Sequence, residues 1–355
     1  MSGESRGTVP SCVRLLLWVA SLPYRIVVAS RNRRFDRGKS PSHLCGVPVI
    51  SIGNLTTGGT GKTPLVCYLA RHLRNRRLRV AIVSRGYGAE AGEENDEAAE
   101  LARSLPDVPH VQDANRVEAA RIAVEELESE VILMDDGFQH RRLHRDLDIV
   151  VIDATNPFGY GHLLPRGLLR EPIASLKRAH AIVLSRADLV DDAKRRSIRE
   201  AVVEHSPSAV FAEAVHAPSG LLSWPDTVKS IDSLRGQRVV LVSAIGNPDA
   251  FAATVKQCGA EIVATKSLRD HDEYSRATVE SISAWLNSLG DKSLRLICTH
   301  KDLVKLQTDR LEGHKVNALL ISLAITSGES ELQKCIEDVV AQVHSTETFD
   351  SADAY

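Results

Sequence analysis

The stretch from Ser51 to Pro64, SIGNLTTGGTGKTP, limits the possible folds of this chain more than any other. It follows an apolar, β-branched run, VPVISIG from Val47, and leads into a helix-like stretch that begins near Lys62. A glycine-rich turn between a strand and a helix lets successive backbone N–H groups converge on an anion, and the helix N-terminus adds its dipole. Thr57, Gly58, Gly59, Thr60 and Gly61 would form this cradle, Lys62 would reach the outer phosphates, and the Thr63 hydroxyl would hold magnesium. Thr56 stands where the pattern G-x-x-x-x-G-K-[ST] has its first glycine. The exchange is tolerable because the glycines nearer the lysine make the cradle.

The rest of the chain supplies the frame that such a loop needs. Strand-like runs recur at RVAIVS (from Arg79), EVILMDD (from Glu130), LDIVVIDA (from Leu147), AHAIVLS (from Ala179) and AVFAEAV (from Ala209), with helix-like stretches between most of them. That alternation predicts a parallel sheet covered on both faces, an α/β/α domain of the P-loop NTPase type over 41–216. A second series, RVVLVSAIG, AEIVATKS, LRLICTH and ALLISLA, predicts a smaller α/β domain over 217–345. Between the two lies APSGLLSWPDTVKSIDS, rich in Pro, Ser and Gly and without a sustained period. Residues 346–355 read as a disordered tail. At 355 residues the chain exceeds the usual size of one domain, which agrees with two.

Residues 1–40 depart from this soluble pattern. VRLLLWVASLPYRIVVAS, interrupted by Pro23 and Arg25, is followed by Arg31, Arg33, Arg34, Arg37 and Lys39. The run is too short and too broken to span a bilayer, and a signal peptide would carry its positive charge before the apolar core. It fits an interfacial helix, with Leu15, Leu16, Leu17, Trp18 and Leu22 at the acyl boundary and the arginines on an anionic membrane surface. The other reading is a helix packed on the chain's own core. A formal net charge of -2 gives no general attraction to nucleic acid, and no protein partner is evident. The six cysteines show no C-x-x-C spacing, so a reduced protein without structural zinc is expected.

A phosphate loop needs a metal-side carboxylate at the end of a neighbouring strand. VILMDDGFQHRRLHRD offers Asp135 and Asp136 directly after four apolar residues, the Walker B arrangement. Phosphoryl transfer to an alcohol also needs a group that accepts the hydroxyl proton. Asp96, in EENDEAAE after SRGYG, and His271, in SLRDHDEYS, are candidates, although read alone Asp96 is better explained as a helix-start residue and His271 as a surface histidine.

Taken together, GNLTTGGTGKTP, SRGYG, DDGFQHRRLHRDLDIVVIDA, GHLLPRGLLREP, AIGNPDAF, DHDEY and THKDLVKL resemble, in order and spacing, the tetraacyldisaccharide 4′-kinases of lipid A biosynthesis. The resemblance runs from the apolar leader to about Leu306. It implies transfer of the ATP γ-phosphate, with Mg2+, to the 4′-hydroxyl of a tetraacyldisaccharide 1-phosphate, a glycolipid disaccharide, to form lipid IVA. It also implies a peripheral enzyme on the cytoplasmic face of the bacterial inner membrane. Lys62 and Thr63 would bind ATP and magnesium, Asp135 and Asp136 would be the Walker B acids, Glu171 in LLREP would stand near the metal, and Asp96 with His271 would form a catalytic dyad. NDEA stands where the family has G-D-E-P, and THKD where it has T-E-K-D, but Asp96 is retained. A membrane-surface P-loop ATPase switch is the rival, yet such switches carry an early loop lysine where this chain has Thr56 and Thr57. LSRAD, Leu184 to Asp188, only faintly echoes the N-K-x-D guanine reader.

Overall fold

The computed structural model describes residues 7–86, 101, 102, 104–269 and 272–350. The chain forms two compact units, one from residues up to Val215 together with those from Leu323 onward, the other from His216 to Ser322.

The first unit opens with helix α1 (Thr8–Asp36) and then alternates strand and helix: β1 (Val49–Asn54), α2 (Lys62–Asn75), β2 (Val80–Ser84), β3 (His110–Gln112), α3 (Arg116–Glu125), β4 (Val131–Asp135), β5 (Leu147–Asp153), β6 (Ala181–Ser185), α4 (Asp192–His205) and β7 (Val210–Ser223). The strands lie in the order β7-β6-β5-β1-β4-β2-β3, each neighbouring pair parallel. β1 is buried along its whole length. It is also where the winding reverses: β2, β3 and β4 fall to one side of it and β5, β6 and β7 to the other. In open α/β sheets a crevice forms at the carboxyl end of such a strand, and here the Gly-Lys-Thr loop leaves that end.

Alternation along β5 fills both faces. Ile149 and Val151 join the core under α2, whose inner stripe is Leu65, Val66, Leu69, Ala70 and Leu73. Val150 and Ile152 face the other way, onto Ile198 and Val202 of α4.

The second unit holds the later part of β7, β8 (Thr227–Lys229), β9 (Arg238–Ser243), α5 (Pro248–Gln257), β10 (Glu261–Ser267), α6 (Arg276–Ser288), β11 (Arg295–Thr299), α7 (His300–Leu306), β12 (Arg310–Leu311) and the first part of β13 (His314–Ser327). Its parallel strands run β10-β9-β11-β13. The chain then returns to the first unit and ends in α8 (Glu329–Asp350).

Two sequence expectations need correction here. The second unit does not run to 345, because Leu332, Ile336 and Val340 of α8 are buried in the core that also holds α2. The same helix continues to Asp350, past the expected start of a disordered tail at 346. The leader, too, is less broken than Pro23 suggested: α1 is one continuous helix of 29 residues, long and apolar enough by composition to cross a membrane. Pro23 and Val19 both lie exposed, so the hydrogen bond that the proline removes faces outward. Leu16 and Ile26 are 69% and 68% exposed, whereas Val28 is buried and Tyr24 packs on the core beneath β5 and β6. The reading of a helix packed on the chain's own core holds for Tyr24 and Val28, while Leu15, Leu16, Trp18, Ile26 and Val27 are left exposed.

Candidate active site

The loop after β1 begins with residues that are tied down and ends with residues that are open. Asn54 is fully buried, and its amide donates to the Thr60 hydroxyl at 2.9 Å, closing the loop on itself. Ser185, at the end of β6, donates to the Thr60 carbonyl at 2.7 Å. Thr56 forms an isolated antiparallel bridge with Leu169, and Thr57 N–H donates to the Leu168 carbonyl at 2.8 Å. A β-branched residue suits that extended conformation, and the Thr56 methyl packs where a Cβ on Gly159 would come within 3.0 Å. That contact explains why a threonine can stand at the position of the usual first glycine.

Beyond this anchored half, Gly58 and Gly61 hold φ of 106° and 88°, and nothing lies within 4 Å of where a Cβ on Gly58 or Gly59 would project. α2 starts at Lys62 with no acidic residue in its first turn and no side chain capping it, so its first N–H groups stay available to an anion. Thr57, Gly58, Gly59, Thr60, Gly61, Lys62 and Thr63 thus lie together on one turn at the mouth of the sheet. The arrangement fits a nucleotide phosphate.

β4 pairs with β1 in the register Ile52↔Asp135, which sets the two acids beside the loop. Asp135 is buried and accepts the Asp136 N–H at 2.9 Å. Asp136 takes a left-handed φ of 52° and turns its carboxylate toward Lys62, 3.5 Å from Nζ. Arg170 binds the same carboxylate with both terminal nitrogens, each at 2.8 Å, and also meets the Asn54 side chain. Burial by itself would raise the Asp136 pKa, but Arg170 and then Lys62 outweigh it and bring the group down to about 2. Among the described residues no group of three or more His, Cys, Asp or Glu is gathered for a metal, and magnesium bound with a nucleotide needs only one or two carboxylates.

Close packing holds these acids where they are. A Cβ on Gly53 would sit 2.5 Å from the Phe138 Cβ, and one on Gly137 would sit 2.6 Å from Ser51 Oγ. Gln139 donates to the Asn54 carbonyl at 2.9 Å, while its Oε1 and His140 Nε2 are buried without a hydrogen-bond partner among the described residues. Burial, then the cations of Arg116, Arg142, Arg145 and Arg31, depresses His140 to about 4, so its ring is neutral at physiological pH.

Glu171 departs from its expected role. Its carboxylate is fully buried and accepts from Arg178 at 2.8 Å, Asn32 at 3.0 Å and Arg31 at 3.1 Å. Burial would raise its pKa, but Arg178 and these hydrogen bonds hold it below the usual range. Two guanidiniums and an amide enclose this acid, an arrangement that suits a structural anion more than the metal-side position that the resemblance implies. Asp96 and His271 lie outside the described residues. Arg170, Asn54 and Gln139 were not singled out from the sequence. Arg170 sits in the quoted GHLLPRGLLREP and the other two in quoted motifs as well, but only the fold brings them to the loop.

An uncapped helix behind a glycine loop, with a strand-end acid facing its lysine, defines a P-loop nucleotide-binding protein of the phosphotransferase or hydrolase kind. Residues 13–341 match the family described as tetraacyldisaccharide-1-P 4′-kinase. A tetraacyldisaccharide 4′-kinase of Anaeromyxobacter sp. (strain K) is 39% identical over 342 residues, 90% of either chain. One from Geobacter sulfurreducens is 37% identical over 323 residues, covering 86% of this chain and 88% of the relative. The crystal structure of LpxK from Aquifex aeolicus in complex with ATP superposes with a TM-score of 0.72 at 31% identity, over 92% of this chain and 99% of the other. The chain belongs to the tetraacyldisaccharide 4′-kinase family.

Proposed function

We propose that the chain transfers the γ-phosphate of ATP to the 4′-hydroxyl of a tetraacyldisaccharide 1-phosphate, giving lipid IVA. The observation that carries the reading is the Lys62–Asp136 pair, 3.5 Å apart, at the mouth of an uncapped helix. Magnesium-bound ATP supplies the phosphoryl group and neutralises part of its charge; Thr63, Asp135 and Asp136 would hold the metal. Lys62 puts a fixed cation where charge grows during transfer, in a site partly shielded from water. Arg170 keeps Asp136 ionised and fixes its direction. Asp96 would accept the proton from the sugar hydroxyl and His271 would hold that carboxylate.

Attachment is assigned to α1. Its exposed apolar residues would enter the interface of the bacterial inner membrane on the cytoplasmic face, with Arg33, Arg34 and Arg37 near anionic headgroups and Arg31 turned to Glu171 instead. Gln139 Oε1 and His140 Nε2, buried and without hydrogen-bond partners among the described residues, support a polar ligand beside the acids.

The test is incubation with labelled ATP and tetraacyldisaccharide 1-phosphate in vesicles, followed by separation of the lipid fraction. Label on the lipid is expected. ATP turnover that ignores the lipid, with no label transferred, would replace the kinase with a switch ATPase. For the dyad, Asp96→Ala and His271→Ala should each depress kcat strongly and the double variant should be little worse than the poorer single one. Losses that multiply would sink the dyad.

A further inference from the structure

Two short segments each carry a phosphate-site residue at one end and a hold on α1 at the other. In the first, Asp135 and Asp136 serve the loop, while Arg141 donates to the Asn32 carbonyl at 3.2 Å and to Asp36 at 2.7 Å, its guanidinium 5.2 Å from the Phe35 ring centre. In the second, Arg170 grips Asp136, while Glu171 accepts from Arg31 and Asn32 and Lys177 lies 3.5 Å from Asp36. Tyr24 adds a bond to the Arg170 carbonyl at 2.9 Å. The contacts that seat α1 are therefore made by the neighbours, along the chain, of the residues that make the phosphate site.

Glu171 is the most enclosed of these contacts. Arg178, seven residues further along the same segment, already neutralises it. A buried acid that served its own segment alone would need no more than that partner and local hydrogen bonds. Instead, two consecutive helix residues, Arg31 and Asn32, supply further bonds to a carboxylate with no exposed surface. Losing either bond is costly because the acid has no water to turn to.

We infer that Glu171 is a positioning residue that holds the membrane-facing helix in register with the phosphate site, acting through Arg31 and Asn32 of α1. The inference rests on the reading of the acceptor as a glycolipid. Acyl chains in a bilayer fix the sugar relative to the membrane surface, and the apolar residues of α1 fix the protein relative to that same surface. The seat of α1 then sets the distance from the acceptor hydroxyl to the phosphate, and a misplacement of about 1 Å costs on the order of 100-fold in rate.

The experiment uses the full chain and two acceptors: tetraacyldisaccharide 1-phosphate in phosphatidylglycerol-containing vesicles, and a short-chain, water-soluble disaccharide 1-phosphate. For Glu171→Gln, kcat on the vesicle acceptor is expected to fall roughly 10-fold or more, while the rate on the soluble acceptor and the KM for ATP stay within about two-fold. Asn32→Ala and Arg31→Met remove the same bonds from the helix side and should give the same split. They carry the test if Glu171→Gln melts early. The double variant Glu171→Gln/Asn32→Ala should be no worse than Glu171→Gln. Equal losses on both acceptors, no loss on either, or multiplying losses would overturn the inference. No phosphate on either acceptor with the unaltered chain would instead remove the kinase reading, and this inference with it.

Discussion

Arg170 grips Asp136, and Glu171 follows Arg170 directly in sequence, yet the two acids have opposite surroundings. The Asp136 side chain is 25% exposed and is shared by Arg170 and Lys62 at the mouth of the loop. The Glu171 side chain is 0% exposed and is enclosed by Arg178, Arg31 and Asn32. An acid that keeps contact with solvent can trade a side-chain cation for a bound one; an acid sealed among guanidiniums cannot, because every exchange would strand a buried charge. Acids near an arginine therefore cannot be sorted into ligands and struts by residue type. What separates them is access.

That contrast can be broken experimentally. Lys62→Ala should lower kcat by about 100- to 1,000-fold with an unchanged melting curve, as loss of a preorganised donor does; a near-normal rate would remove the loop from the chemistry. Asp136→Asn should weaken the response to magnesium by roughly 10-fold or more, while Glu171→Gln leaves the magnesium titration unmoved. A magnesium shift in Glu171→Gln would return that residue to the metal.

Smaller effects should appear in stability. Gly53→Ala forces a methyl into Phe138 and should cost about 1–3 kcal/mol in denaturant unfolding. A neutral outcome would mean that the segment carrying the acids is not tightly packed. The smallest effect concerns His140, whose pKa falls from 6.5 to about 4 on folding. The unfolded chain binds this proton more readily, so the histidine's share of stability is full above about 6.5 and is lost as pH falls toward 4. His140→Gln should flatten the pH dependence of unfolding in that window, and an unchanged slope would place the ring in water.

Much of the nucleotide loop was legible because it is local. Gly58 to Thr63 are consecutive, and the strand before and the helix after fix their geometry. Asp135 and Asp136 were legible for a similar reason, since an apolar run that ends in acids marks the strand end itself. Arg170 was not, because its salt bridge to Asp136 depends on the segment after β5 folding back to pair with Thr56. The resemblance at LLREP put Glu171 near the metal, and nothing local in the sequence could show that its bonding partners Arg31 and Asn32 come from the leader. The second domain's extent was overrun for want of a signal: the period of α8 shows that it is amphipathic, not which core takes its apolar face.

The return of the chain after Ser322 also bears on synthesis. Leu332, Ile336 and Val340 leave the ribosome after the whole of the smaller unit, yet they belong to the core that Leu65 and Leu69 began. The smaller unit, contiguous from His216 to Ser322, is complete while the larger still lacks its final helix. Domains generally fold as units in the order in which they are finished. In this molecule the later-starting unit can therefore mature first, and the nascent larger unit must keep a strip of apolar surface waiting for α8.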